Sequence, residues 1–205
     1  MSAIILDYLN YRKKQLEKER KKLNPGHVAS FAYNFRDHLL KFFDKSKNAA
    51  ANAIMWKKLN LDERKTHLSQ VFKHLLSFKG GKTGDVKVKF QSHLPGCENA
   101  LGSANKDSIT IYDKALKSDD YETVLEVGGH EATHVFDLHG HGPTLDKKSV
   151  DNCANNYVSP NEDADAYRNN PVEVSAFETG RIIRKNFLKT LVDYAVNSNA
   201  RERAA

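Results

Sequence analysis

The segment His130-Glu131-Ala132-Thr133-His134 restricts the fold of this chain more than any other stretch of it. Read as helix, it projects His130 and His134 from one face, a single turn apart. Two neutral imidazoles at that spacing can reach one zinc ion. Glu131 stands beside them, placed to take a proton from water held by the metal without being a ligand itself. Ser118 reads as the N-cap, with Asp119 and Asp120 in the first turn, so the helix is expected from Tyr121 to about Leu138. Gly128 and Gly129 inside it are each unfavourable by roughly 1 kcal/mol relative to alanine. Close approach of another backbone or of a ligand would explain them. An ordinary helix with two surface histidines is the competing reading.

The rest of the chain reads as α+β: a catalytic part with a small sheet, preceded by a mostly helical N-terminal part. Leu9, Leu16 and Leu23 recur every seven residues through the charged stretch from Arg12 to Lys22. That narrow apolar stripe suits a helix lying across a body or a partner. After Asn24-Pro25-Gly26, the residues Phe31, Phe35, Leu39 and Phe42 follow at helical spacing, widened by Leu40 and Phe43. A further helix is expected from about Asn48 to Leu59. Another starts at Asp62 and Glu63 and buries Leu68, Val71, Phe72, Leu75 and Leu76. Lys79 to Gly84 is glycine-rich but lacks the phosphate-loop pattern, and reads as a hairpin or linker. Val86, Val88 and Phe90 alternate as a strand, and Ser108 to Tyr112 reads as a second. Asn170 and Pro171 open a last helix expected to reach about Val196, with Glu173 at its third position. Residues 1–80 form a basic helical region packed on or covering the catalytic part, and 81–200 the core.

Three sets of residues compete to complete a metal site. Glu173 lies 39 residues beyond His134, where a carboxylate in the first turn of a second helix can face the metal. It is also where a capping-box residue belongs, and a side chain tied to the Asn170 backbone is less free to bind. Asp146 follows His134 by 12 residues, and His139 and His141 lie in the next turn.

With these residues the chain resembles the zincin metallopeptidases, and among them the gluzincins, over roughly residues 105–185. The stretch from Asn170 to Ala176 is similar to the setting of the glutamate ligand in small zincins, including bacterial effector and toxin proteases. The resemblance implies His130, His134 and Glu173 as zinc ligands and Glu131 as general base. It further implies Tyr167 as a donor to the oxyanion, with Tyr157 second. There are departures. Four residues after Glu173, where thermolysin-like gluzincins carry an acidic side chain, stands Phe177, and Glu178 is one place late. Orientation of a ligand histidine would then fall to Asp137 or Asp151. The longer metzincin pattern fails at Asp137 and Gly140. A faint likeness to aspzincins around Gly142 keeps Asp146 as the alternative third ligand. The implied activity is zinc-dependent hydrolysis of peptide bonds through a water activated by Glu131, endopeptidase rather than exopeptidase, on a protein or peptide substrate.

Charge adds a second theme. Residues 1–90 carry 20 Lys and Arg against 8 Asp and Glu, and residues 91–205 carry 12 against 18, within a total of +6. The basic part suits an acidic partner or surface, or solvated helix faces. A nucleic-acid- or surface-binding protein with a structural zinc, or an inactive zincin-like interaction module, are therefore the alternatives. Cys97 and Cys153 make no disulfide framework and read as structural or incidental. No apolar run approaches the ~20 residues of a membrane span. The opening Ile4-Ile5-Leu6 is too short for an ordinary signal peptide. Cytoplasmic synthesis is expected, with export by a route independent of a signal peptide left open.

Overall fold

The computed structural model describes residues 3–78, 85–95, 98–143 and 146–193. The glycine-rich stretch 79–84, Cys97 and the chain after 193 lie outside them. The N-terminal helices are α1 (Ala3–Arg20), α2 (Pro25–Lys45), α3 (Lys47–Ile54) and α4 (Leu61–Leu76). Strands β1 (Lys87–Gln91), β2 (Gly102–Asn105) and β3 (Ser108–Tyr112) come next. They are followed by α5 (Asp113–Leu116), α6 (Tyr121–Leu138), α7 (Lys147–Asn155), α8 (Ala164–Arg168) and α9 (Pro171–Arg184). A last helix, α10, covers 187–193. No described helix is long and apolar enough to cross a membrane.

Local chemistry explains most boundaries. Asn60 and Glu63 close a capping box at the start of α4: the Asn60 side chain accepts from the backbone of Asp62 and Glu63, and Glu63 Oε2 accepts from Asn60 N at 2.8 Å. The helix expected to run to Leu59 stops at Ile54 and gives way to a 3-10 turn, Trp56–Lys58. That turn buries Trp56, whose Nε1 donates to Ser118 O at 2.8 Å. The cap of α6 is Asp120, two residues later than Ser118, because its carboxylate accepts from Glu122 N and Thr123 N; Ser118 Oγ accepts from Asp120 N instead. The final helix is interrupted too. Asn186 takes a left-handed φ of 52°, a conformation asparagine tolerates better than most residues. The break lets Phe187 and Leu191 turn into the core.

The sheet has the order β1-β3-β2, with β1 parallel and β2 antiparallel to β3. Strand β2, Gly-Ser-Ala-Asn, has no strand propensity of its own and was not foreseen. It forms by pairing with the fully buried β3. One apolar core joins α2, α4, the sheet, α6 and α9, with Phe35, Phe72, Ile109, Phe136 and Ile183 among its members. A smaller cluster lies apart, where Leu16 of α1 closes over Cys153 and Val158. Burial pushes the Cys153 thiol up to about 12, so it stays protonated and packs as an apolar group.

His67 is 1% exposed and shares a hydrogen bond of 2.8 Å with the Tyr121 hydroxyl. Burial disfavours its cation and brings its pKa from 6.5 to about 4. Between those values the unfolded chain binds the proton and the folded chain does not, so stability is full above 6.5 and falls as pH drops toward 4. Acidification through that window should remove about 3 kcal/mol. Denaturant titrations of the wild type and His67→Gln across pH 7 to 4 check this, because the variant should lose that part of the slope.

Candidate metal centre

Helix α6 carries His130 and His134, and α9 brings Glu173 to them in its first turn. His130 Nε2 and His134 Nε2 are 3.0 Å apart, and Glu173 Oε2 lies 3.2 Å from the first and 3.5 Å from the second. Around a tetrahedral ion with bonds of about 2.0–2.1 Å, donor atoms stand roughly 3.3–3.4 Å apart. The three separations scatter about that value. Glu173 is 5% exposed, and its Oε2 has no hydrogen-bond partner, so no N–H is aimed along either short contact. Three lone-pair donors converging on one point, with one oxygen otherwise unsatisfied, fit a metal ion. Donor atoms of these three residues all lie within 4.8 Å of one another.

The geometry excludes Glu173 from a capping box. Asn170 caps α9 through its own side chain, which accepts from Val172 N at 3.2 Å. Its backbone N–H goes to Tyr167 O, leaving nothing for a capping-box glutamate to accept. The same Asn-x-x-Glu spacing at Asn60 makes a complete capping box. Glu173 turns to the histidines instead.

What brings α9 to α6 is the glycine pair. A Cβ on Gly129 would fall 2.5 Å from Ile183 Cδ1 and 3.6 Å from Gly180 Cα, and one on Gly180 would fall 2.6 Å from Glu126 O. Gly128 is filled from the other side by the Phe72 ring. Both α6 glycines thus serve close packing of the protein on itself. Gly180→Ala is expected to destabilise by about 1–3 kcal/mol, because its obstacle is backbone and cannot turn aside. By pushing apart the helices that carry His130, His134 and Glu173, it should also weaken any metal binding by that group. Thermal melts with and without added metal measure both effects.

Electrostatics among these side chains follow from burial and these contacts. For Glu173, burial acts to raise the pKa, but the His134 charge and the nearness of both imidazoles hold it well below the carboxylate range. Burial works against a charged His134, yet Glu173, Glu131 and Asp137 together lift it to about 9. Glu131 is raised, chiefly by burial, with the Glu173 charge acting the same way and the two histidines opposing. A buried carboxylate with a raised pKa is a stronger base than an exposed one.

Tyr167 sits in α8 beside this group. Its hydroxyl is raised by burial and then by the charge of Glu173 and a hydrogen bond to it, so it remains a proton donor. Its ring meets Tyr157 at 6.0 Å and Phe177 at 6.1 Å between centroids. Phe177, the departure from the thermolysin-like pattern, packs its ring edge-on against His130 at 4.5 Å. That side of the His130 imidazole is held by packing. Asp137 is buried and adds to the field on His134. Asp151 is instead paired with Lys147 on the exterior. Asp146 caps α7 by accepting from Ser149 N at 2.9 Å and is not in the metal group. The His139 ring shares a hydrogen bond with Lys106 O, and Glu178 pairs with Arg181.

Gly102 is a site residue that sequence reasoning missed. A Cβ there would fall 2.9 Å from Glu131 Cγ and 3.0 Å from Glu131 Oε1, so β2 presses directly on Glu131. A lone glycine between apolar Leu101 and the Ser108 strand was its only trace. The centre opens into a cleft of about 820 Å³, walled by Leu101, Val127, Leu138 and Tyr157. Lys and Arg are missing from its described lining, although the chain carries a charge of +6. Compared with protein-family models, curated proteins and solved structures, the chain matches none.

Proposed function

We propose that the protein is a zinc-dependent endopeptidase. The observation that carries this reading is the convergence of His130, His134 and Glu173 at tetrahedral spacing, with Glu131 and Tyr167 on the same cleft. Two imidazoles and one carboxylate are a donor set suited to zinc, and three protein ligands leave a position open, as catalytic sites do. Structural zinc sites are closed by four. When bound, zinc would supply Lewis acidity, acidifying water and polarising a carbonyl.

The chain's own groups divide the remaining work. Glu131 takes the proton from the attacking water and returns it to the departing amine, a role helped by its raised pKa. Tyr167 donates a hydrogen bond to the oxygen that becomes negative as the carbonyl is attacked. Strand β2 is the edge strand beside the cleft, so an extended peptide can lie along it through main-chain hydrogen bonds. With neither Lys nor Arg in the described lining, no cation there pairs with a terminal carboxylate, which counts against a carboxypeptidase.

The test combines metal and turnover. Protein purified without metal should bind one zinc ion per chain and cleave denatured casein. A chelator should abolish cleavage and added zinc restore it. Stoichiometric zinc with intact substrate across a peptide panel covering every residue on both sides of the bond would sink the reading.

A further inference from the structure

We infer that α1 braces the wall of the cleft that carries Tyr157 and Tyr167, with Arg12 and Lys13 as positioning residues that hold the turn leading into α8. The inference rests on the reading of Tyr167 as a donor in hydrolysis.

Helix α1 stands outside the main core. Leu16 covers Cys153 and Val158, with Leu9, Ala166 and Val172 around them. Its polar contacts run to the same part of the chain. Arg12 Nη1 donates to Glu162 Oε1 at 3.1 Å, Lys13 pairs with Asp163, and Arg20 Nη1 donates to Asn169 Oδ1 at 2.6 Å. Asn152 Nδ2 donates to Glu19 Oε1 at 2.9 Å, and Lys22, just past the helix, donates to Ser149 Oγ at 3.2 Å. Residues 149–169, which receive these contacts, supply Val150, Ala154, Tyr157, Pro160 and Tyr167 to the cleft.

The two carboxylates gripped by α1 also shape the wall. Glu162 Oε2 accepts from Ser159 N at 2.9 Å and closes the turn. Asp163 Oδ1 accepts from Asp165 N at 3.0 Å and Ala166 N at 2.9 Å, capping α8. That helix has only five residues, far too few to be stable alone, so its place depends on its cap and on what anchors the cap. Arg12, with a side chain only 12% exposed, is a better anchor than a freely solvated cation. Movement of Asp163 is transmitted through one helical turn to Tyr167. Arg12 and Lys13 therefore act on the site without touching substrate.

Hydrogen exchange of the zinc-loaded protein, together with kcat and KM on one fluorogenic peptide chosen from the casein digest, tests this. Arg12→Ala combined with Lys13→Ala should speed exchange across residues 157–168 and lower kcat by about 3- to 10-fold, as expected for two weak ion pairs. Zinc affinity should change less than twofold, because the ligands lie on α6 and α9. Arg12→Glu should be worse than Arg12→Ala, and Arg12→Lys, which keeps the charge facing Glu162, should recover most of the exchange protection and kcat. Unchanged exchange in the double-alanine variant overturns the brace whatever the activity. Faster exchange with unchanged kcat overturns the positioning role and leaves the peptidase reading intact. A wild type without hydrolysis defeats the reading beneath the proposal, while exchange still reports whether α1 holds the wall.

Discussion

Glu131→Gln leaves the protein folded and able to bind metal but lowers peptide hydrolysis by about a thousandfold, within the range of 10²–10⁴ for loss of a general base. The substitution is nearly isosteric, so its packing against Gly102 survives. The ligand set of His130, His134 and Glu173 is untouched. What disappears is the ability to hold a proton between attack and departure of the amine. Burial has raised the pKa of this carboxylate, and the amide has no equivalent protonation to offer. Zinc stoichiometry, a melting curve and kcat on the same preparation separate the possibilities. Cleavage at the wild-type rate by a fully loaded variant would remove Glu131 from the mechanism.

How much of this was legible in the sequence depends on the range of the interactions involved. His130, Glu131 and His134 lie within one helical turn, and their relative placement follows from helix geometry alone. The apolar faces of α2 and α4 and the buried β3 were readable for the same reason: their period is local. Strand β2 was not, because Gly102 to Asn105 becomes a strand only through pairing with β3. The reason for Gly128, Gly129 and Gly180 was half readable. Two glycines in a helix announce close approach, but that the neighbours are Phe72 and α9 is tertiary information. The interruption at Asn186 was hidden, since nothing nearby forbids helix; Phe187 and Leu191 gain burial by leaving it. The wall bearing Tyr157 and Tyr167 depends on α1, about 150 residues away in the chain, and no local pattern links Arg12 to Glu162.

Glu173 is where local and tertiary reasoning pulled in opposite directions, and it gives the second large expected effect. Glu173→Ala should weaken zinc binding by at least about 100-fold. Loss of a group that merely supports a ligand already weakens binding 10- to 100-fold, and Glu173 is a ligand itself in the proposed site. The start of α9 should be unharmed, since Asn170 caps it without help from Glu173. Glu63→Ala at the equivalent position of α4 should do the reverse. It breaks the hydrogen bond to Asn60 N and lowers stability by about 1 kcal/mol, while zinc affinity stays put. The pair forms a control within one chain, because both glutamates follow a capping asparagine by three residues and differ in what their carboxylates face. Titration of zinc against a competing chelator, alongside denaturant unfolding of each metal-free variant, reads the two effects independently. If Glu173→Ala instead lost stability like a broken cap and bound zinc normally, the ligand set would have to be drawn again around His130 and His134. Asp146 offers no ready replacement, for its carboxylate is already engaged at the start of α7.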